Sequence, residues 1–103
     1  MTMPDIKPDY LKIVKNILKQ FVPQFEVWAF GSRVAETAGE FSDLDLAIIS
    51  NAPLDFEIMG RIRDAFSESD LPFKVDVLDW SATSHEFRRI IGEKHEIIQK
   101  SDR

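Results

Sequence analysis

The chain has 103 residues, 44% of them hydrophobic, with eight Phe and no Cys. That is enough for one cored domain, and it excludes disulfides and thiolate metal centres. The net charge of −5 argues against a broad nucleic-acid surface, which needs a basic stripe, but a divalent cation can still bring a phosphate ligand to an acidic chain. The start, MTMPDIKPDYLKIVK, lacks the apolar segment of a secretory signal, and no apolar run nears the ~20 residues of a membrane span. A soluble, cytoplasmic protein without membrane or direct nucleic-acid contacts is therefore expected.

In residues 9–21, Leu11, Val14, Leu18 and Phe21 recur at helical spacing while Lys12, Lys15 and Lys19 lie off that face. Pro8 suits the first turn of this helix and Pro23 stops it. FEVWAF (25–30) is short, β-branched and aromatic, apolar on both faces and closed by Gly31, as in a buried strand. DLDLAII (43–49) reads as a second strand. The twelve residues between them are too few for a long crossover helix, so a short helix and an antiparallel return are expected. After the Asn51-Ala52-Pro53 turn, Leu54, Ile58, Ile62 and Phe66 recur every fourth residue in a helix running to about Ser69, which Gly60 weakens without breaking. FKVDVL (73–78) alternates as a third strand. Ser81 to about Ile91 predicts another helix, with Phe87, Ile90 and Ile91 on one side and Gly92 as its stop. HEIIQ (95–99) is a candidate short strand. Helices alternating with strands imply an α/β (α+β) fold, a small mixed sheet flanked by helices, spanning 1–103 as one domain.

Residues i and i+2 of a strand share a face, so Asp43 and Asp45 project together while Leu44 and Leu46 face the other way. Asp76 is a third acid inside an apolar strand. If the two strands are neighbours in register, three carboxylates converge. Unpaired, they cost several kcal/mol or take up protons. Hard oxygen ligands of this kind suit Mg2+, or Mn2+, and two ions about 3.5–4 Å apart serve in-line phosphoryl-type displacement. At Gly31 the backbone can approach a ligand closely. Ser32, capping the expected short helix, adds free N–H groups and the positive end of a dipole for an anion such as a triphosphate.

Each feature alone has a plainer reading. A lone D-x-D is commonly a surface strand end, Gly-Ser a helix cap, and Asp76 an edge-strand acid facing water. Arg33 suits either a phosphate or a surface ion pair. Asp79 reads as a cap for the last helix, His85 and His95 as surface residues, and Trp28 and Trp80 as core or rim packing. Arg61, Arg63, Arg88 and Arg89 read as a solvated face. Among other phosphate and metal motifs, G-x-G-x-x-G and the P-loop are absent, and Leu46, Ala47 and Ile48 stand where an EF-hand needs Gly and polar ligands.

Gly31-Ser32, ten residues, then Asp43-x-Asp45, with Asp76 in KVDVLDW, resembles the Gly-Ser-x10-Asp-x-Asp signature and third carboxylate of the DNA polymerase β-like nucleotidyltransferases. In length and in the phrases SDLDLAIIS and FRRII the chain is similar to their minimal nucleotidyltransferase (MNT) group, the antitoxins of HEPN/MNT toxin–antitoxin pairs. The resemblance implies a nucleotidyltransferase fold, two Mg2+ ions and a nucleoside triphosphate, ATP. It also implies AMP transfer to a tyrosine of a HEPN ribonuclease toxin encoded by a neighbouring gene, within a stable hetero-oligomer. By position, Asp43, Asp45 and Asp76 bind metal, Asp76 acts as base, and Gly31, Ser32 and Arg33 hold the nucleotide. The pattern departs from many relatives at Ala35 and Glu36, where they carry Arg and Gly; an acid there bears on phosphate affinity and rate. The alternative is an antitoxin that neutralises its partner by binding alone.

Overall fold

The computed structural model describes residues 6–31 and 42–102. Helix α1 (Pro8–Phe21) leads into β1 (Glu26–Phe30). Then come β2 (Leu44–Ile49), α2 (Phe56–Ser67), β3 (Val75–Asp79), a single 3-10 turn (Trp80–Ala82), α3 (His85–Glu93) and β4 (Glu96–Gln99). The four strands form one sheet in the order β3-β2-β1-β4. β1 is antiparallel to both β2 and β4, and β2 runs parallel to β3. The mixed sheet and the antiparallel return expected from the sequence are both present. The expected short helix after Gly31 lies outside the described residues.

The two faces of the sheet differ. Val27 and Ala29 of β1, Leu44, Leu46 and Ile48 of β2 and Val77 of β3 point to one face. There they pack with Val14 and Leu18 of α1 and Met59, Ile62 and Phe66 of α2 in one buried cluster. This is the larger apolar layer, and its burial is the main driving force for the fold. On the other face Phe30, Ala47 and Ile91 form a smaller cluster with Trp28, Ile49, Leu78 and Trp80 around it. β2 is central and apolar on both faces except at Asp45, which explains its near-continuous hydrophobic run. Gln99 secures the far edge: its Nε2 donates to the carbonyls of Val22 and Phe25 at 2.8 and 2.9 Å, closing the turn between α1 and β1.

Several boundaries differ from the periodicity reading, each for a local reason. α2 starts at Phe56 because Asp55 caps it, accepting from Glu57 N–H at 2.8 Å, so Leu54 precedes the helix. The expected helix from Ser81 is interrupted. Residues 80–82 wind as a 3-10 turn, and α3 begins at His85, where Ser84 Oγ accepts from Phe87 N–H at 3.1 Å. Gly92 does not stop α3; it lies within the last turn. β3 starts at Val75, leaving Phe73 buried before the strand, edge-on to Tyr10 with ring centroids 6.0 Å apart.

Asp79 does more than the expected cap. It does not cap α3. Its Oδ1 accepts from Ser81 N–H at 2.9 Å, from Ser81 Oγ at 2.8 Å and from Ser50 Oγ at 2.6 Å, while Oδ2 accepts from Leu54 N–H at 2.8 Å. One carboxylate thus joins the end of β2, the entry to α2 and the end of β3. Burial by itself raises its pKa, but the hydrogen bonds from Leu54, Ser50 and Ser81 outweigh it and hold the carboxyl below its ordinary 3.8.

Charge-assisted hydrogen bonds of this kind are each worth roughly 1.5–3 kcal/mol. Asp79→Ala is expected to lower stability at pH 7 by about 2 kcal/mol or more in denaturant unfolding. Because the folded pKa is depressed, this contribution is complete above about 3.8 and drains away as pH falls through the folded value, so the gap from wild type should narrow in acid.

Candidate active site

Three strands bring the predicted residues together. In the parallel pairing of β2 with β3, Asp45 and Asp76 are direct register partners. In the antiparallel pairing of β1 with β2, Asp45 lies opposite Phe30, the last residue before Gly31. Asp45 shares its face with Ala47 and Ile49, on the side of the smaller apolar cluster. Asp43 sits one residue ahead of β2 and is exposed, Asp45 is half-buried, and Asp76 is exposed at the sheet edge. Ser32 and Arg33, the other two residues assigned to the nucleotide, lie outside the described residues, as do Ala35 and Glu36.

Gly31 is held by the acid beside it. Its φ is +82°, a left-handed conformation in which a side chain is strained, and a Cβ built there meets Asp45 Oδ2 at 2.3 Å. The backbone conformation therefore favours Gly, and a side chain there would also displace the Asp45 carboxylate. The backbone after β1 comes directly against the carboxylate, so a ligand held at that backbone also lies next to Asp45.

Asp45 carries the electrostatic cost of the arrangement. Burial raises its pKa above the ordinary 3.8, and the charges of Asp76 and then Asp43 raise it further. The only ion pair found for the acids among the described residues joins Lys74 Nζ to Asp76 Oδ1 at 3.5 Å, with both side chains largely in water, where such a pair contributes little. No three His, Cys, Asp or Glu side chains among the described residues already stand as a metal-binding group. The acids are thus coupled through their charges without forming a closed cage. The donor set is nonetheless all carboxylate oxygen, and its mutual repulsion is what a divalent cation relieves. Asp43, Asp45 and Asp76 are the groups that could hold one.

The surroundings differ from the sequence expectation in several ways. Trp28 and Trp80 pack against each other at 5.2 Å, as rim packing predicts. His95 is more than a surface residue: its ring stacks on Trp28 at 3.8 Å and 14°. Arg61 and Arg89 make exposed i,i+4 pairs with Glu57 and Glu93. Arg63 and Arg88 depart from the solvated face. Arg63 donates to the carbonyl of Val77 at 3.1 Å. Arg88 donates to the carbonyls of Trp80 and Ser81 at 3.0 and 3.1 Å, with its guanidinium over the Trp80 ring. Periodicity had no means of finding these arginines, because their acceptors are backbone oxygens brought near only by the fold. The sequence also gave no weight to Lys94, which joins Gly31 and Asp45 around one cavity together with Phe87 and Ile90 of α3.

The family model described as "Polymerase beta, Nucleotidyltransferase" matches residues 12–103. A Haemophilus influenzae protein named "Probable protein adenylyltransferase MntA" is 57% identical over 99 residues, covering 96% of this chain and 87% of that protein. Among solved structures, a chain of a toxin–antitoxin complex with AMP-PNP superposes with a TM-score of 0.73 at 19% identity, covering 89% of this chain and 74% of that one. A chain from the complex of a tri-AMPylated Shewanella oneidensis HEPN toxin with its MNT antitoxin gives a TM-score of 0.65 at 17% identity, covering 88% and 70%. These structural likenesses bear on the fold, which is the one expected from the signature.

The raised pKa of Asp45 has a measurable consequence. The folded protein holds this proton more tightly than the unfolded chain, so the ionised carboxylate is destabilising. The penalty is absent below about 3.8, grows as pH rises and is complete above the raised folded value. In the absence of divalent cations, Asp45→Asn is expected to raise the thermal midpoint at pH 7 relative to wild type. The difference should shrink as pH falls below 4, as followed by calorimetric scans across pH.

Proposed function

The chain belongs to the polymerase β nucleotidyltransferase family, and from that premise we propose that it transfers AMP from ATP to a hydroxyl of a protein partner, a tyrosine of a HEPN ribonuclease toxin, and so acts as an antitoxin. The observation that carries the reading is the register pairing of Asp45 with Asp76 directly beside Gly31, whose positive φ brings bare backbone against the Asp45 carboxylate. The high identity to a protein named as an adenylyltransferase supports the same chemistry.

In this reading Asp43, Asp45 and Asp76 hold two Mg2+ ions, for which Mn2+ can substitute. When bound, the ions neutralise the acids and the triphosphate and polarise the α-phosphate. The backbone at Gly31, with Ser32 and Arg33, holds the phosphates, and the absence of a Cβ lets them lie against the strand end. Asp76, on the edge strand and open to solvent, is a carboxylate that an acceptor can reach. It takes the proton of the acceptor hydroxyl as that oxygen attacks the α-phosphorus. The bond from the α-phosphorus to the bridging oxygen breaks, pyrophosphate leaves, and the acceptor becomes an AMP ester.

Incubation with α-labelled ATP, Mg2+ and the HEPN partner is expected to label the partner. Replacing Asp43 and Asp45 together by Asn should reduce the rate by about a hundredfold or more. Absence of label with wild type, or equal label with the double variant, contradicts the enzymatic reading. If the double variant still protects cells from the toxin, neutralisation is by binding alone.

A further inference from the structure

We infer that the cavity between α3 and the end of β1 receives the nucleobase of the donor nucleotide, taking as given that Gly31 and Asp45 belong to the nucleotide site. The cavity has a volume of about 410 Å3, within the range of ligand pockets. Among the described residues it is lined by Phe30, Gly31 and Asp45, by Phe87, Ile90 and Ile91 of α3, and by Lys94 just after that helix.

Its apolar lining is not a by-product of core packing. Phe30 and Ile91 are buried, but Phe87 is 37% and Ile90 57% exposed, although both are large and apolar. Positions 87 and 90 fall on one side of the helix at a spacing of three, and Lys94 follows directly after its end. The rotation of α3 is fixed independently: Ser84 caps its first turn, Arg88 is tied to the carbonyls of Trp80 and Ser81, and Ile91 is sealed into the smaller cluster. That rotation leaves Phe87 and Ile90 facing the cavity. Phe87 stands edge-on to Phe30, with ring centroids 5.8 Å apart.

Continuity selects the occupant. A nucleotide held by its phosphates at Gly31 carries a flat, largely apolar group tethered through its ribose, and that same glycine is part of the cavity wall. Aromatic and aliphatic walls favour a flat π-system, and a purine offers more stacking area than a pyrimidine. Lys94 can donate to an acceptor on the base or ribose. Among the described residues lining the cavity, only Lys94 and Asp45 carry polar side chains, so the cavity selects for ring size more than for the pattern of edge donors and acceptors.

The test measures binding of ATP, CTP and inorganic tripolyphosphate, each with Mg2+, by titration calorimetry. The proteins are wild type, Phe87→Ala and Ile90→Trp, the last filling the cavity. Wild type is expected to bind ATP more tightly than CTP. Both variants should weaken ATP binding by about tenfold, with tripolyphosphate binding unchanged. If ATP and tripolyphosphate binding are both unchanged in both variants, the base does not enter this cavity, while the nucleotide reading of Gly31 and Asp45 stands. If wild type binds neither ATP nor tripolyphosphate, the nucleotide reading itself fails. Loss of partner association with ATP binding intact assigns the cavity to the partner and overturns the inference.

Discussion

Two carboxylates held side by side on adjacent parallel strands are the constraint around which the site is arranged. Asp45 and Asp76 are register partners, and Asp45 cannot withdraw into the sheet because Leu44 and Leu46, its neighbours along the strand, are fully buried on the opposite face. A one-residue slip of β2 exchanges these faces and removes both the core and the acid pair, so the same apolar residues that stabilise the fold also fix the repulsion. Its cost is visible in the raised pKa of Asp45. In the proposed function a cation bound with a triphosphate would offset that cost.

The rest of the fold divides its labour between the sheet faces. α1 and α2 seal one face with the larger cluster. On the other face α3, the 3-10 turn and the packed Trp28, Trp80 and His95 rings surround the smaller cluster. Asp79 ties that second face to the first. It sits three residues beyond Asp76, with the opposite strand parity, and its bonds to Ser50, Leu54 and Ser81 anchor the ends of the two strands that carry the acids. The two aspartates of one strand therefore stand in opposite settings: Asp79 is stabilised by donors that hold its charge, and Asp76 is exposed beside Asp45.

Much of this was legible in the sequence because it rests on short-range rules. Period-2 alternation placed Asp43 and Asp45 on one face, the brevity of the link after Gly31 required an antiparallel return, and Pro8, Pro23 and the apolar spacing bounded α1. The pairing of β2 with β3 was only conditional, since register depends on the α2 crossover packing against the sheet, which no local pattern encodes. The break between the 3-10 turn and α3 was missed because Ser84 competes with Ser81 as a helix start, and tertiary bonds to Asp79 decide between them. The preference for Gly at 31 was visible as a strand end, but the contact with Asp45 that reinforces it comes from register. The roles of Arg63, Arg88 and His95 were illegible because their partners lie on the backbone or on rings that folding alone brings close.

The central claim is that the coupled acids are a site for metal-bound nucleotide rather than a structural residue of the fold. Titration calorimetry of ATP into the protein with and without Mg2+, for wild type and Asp45→Asn, tests it most directly. The account predicts Mg2+-dependent ATP binding by wild type that is lost in Asp45→Asn while the fold is retained. Equal ATP binding by the two proteins, or binding by wild type that is indifferent to Mg2+, would contradict it.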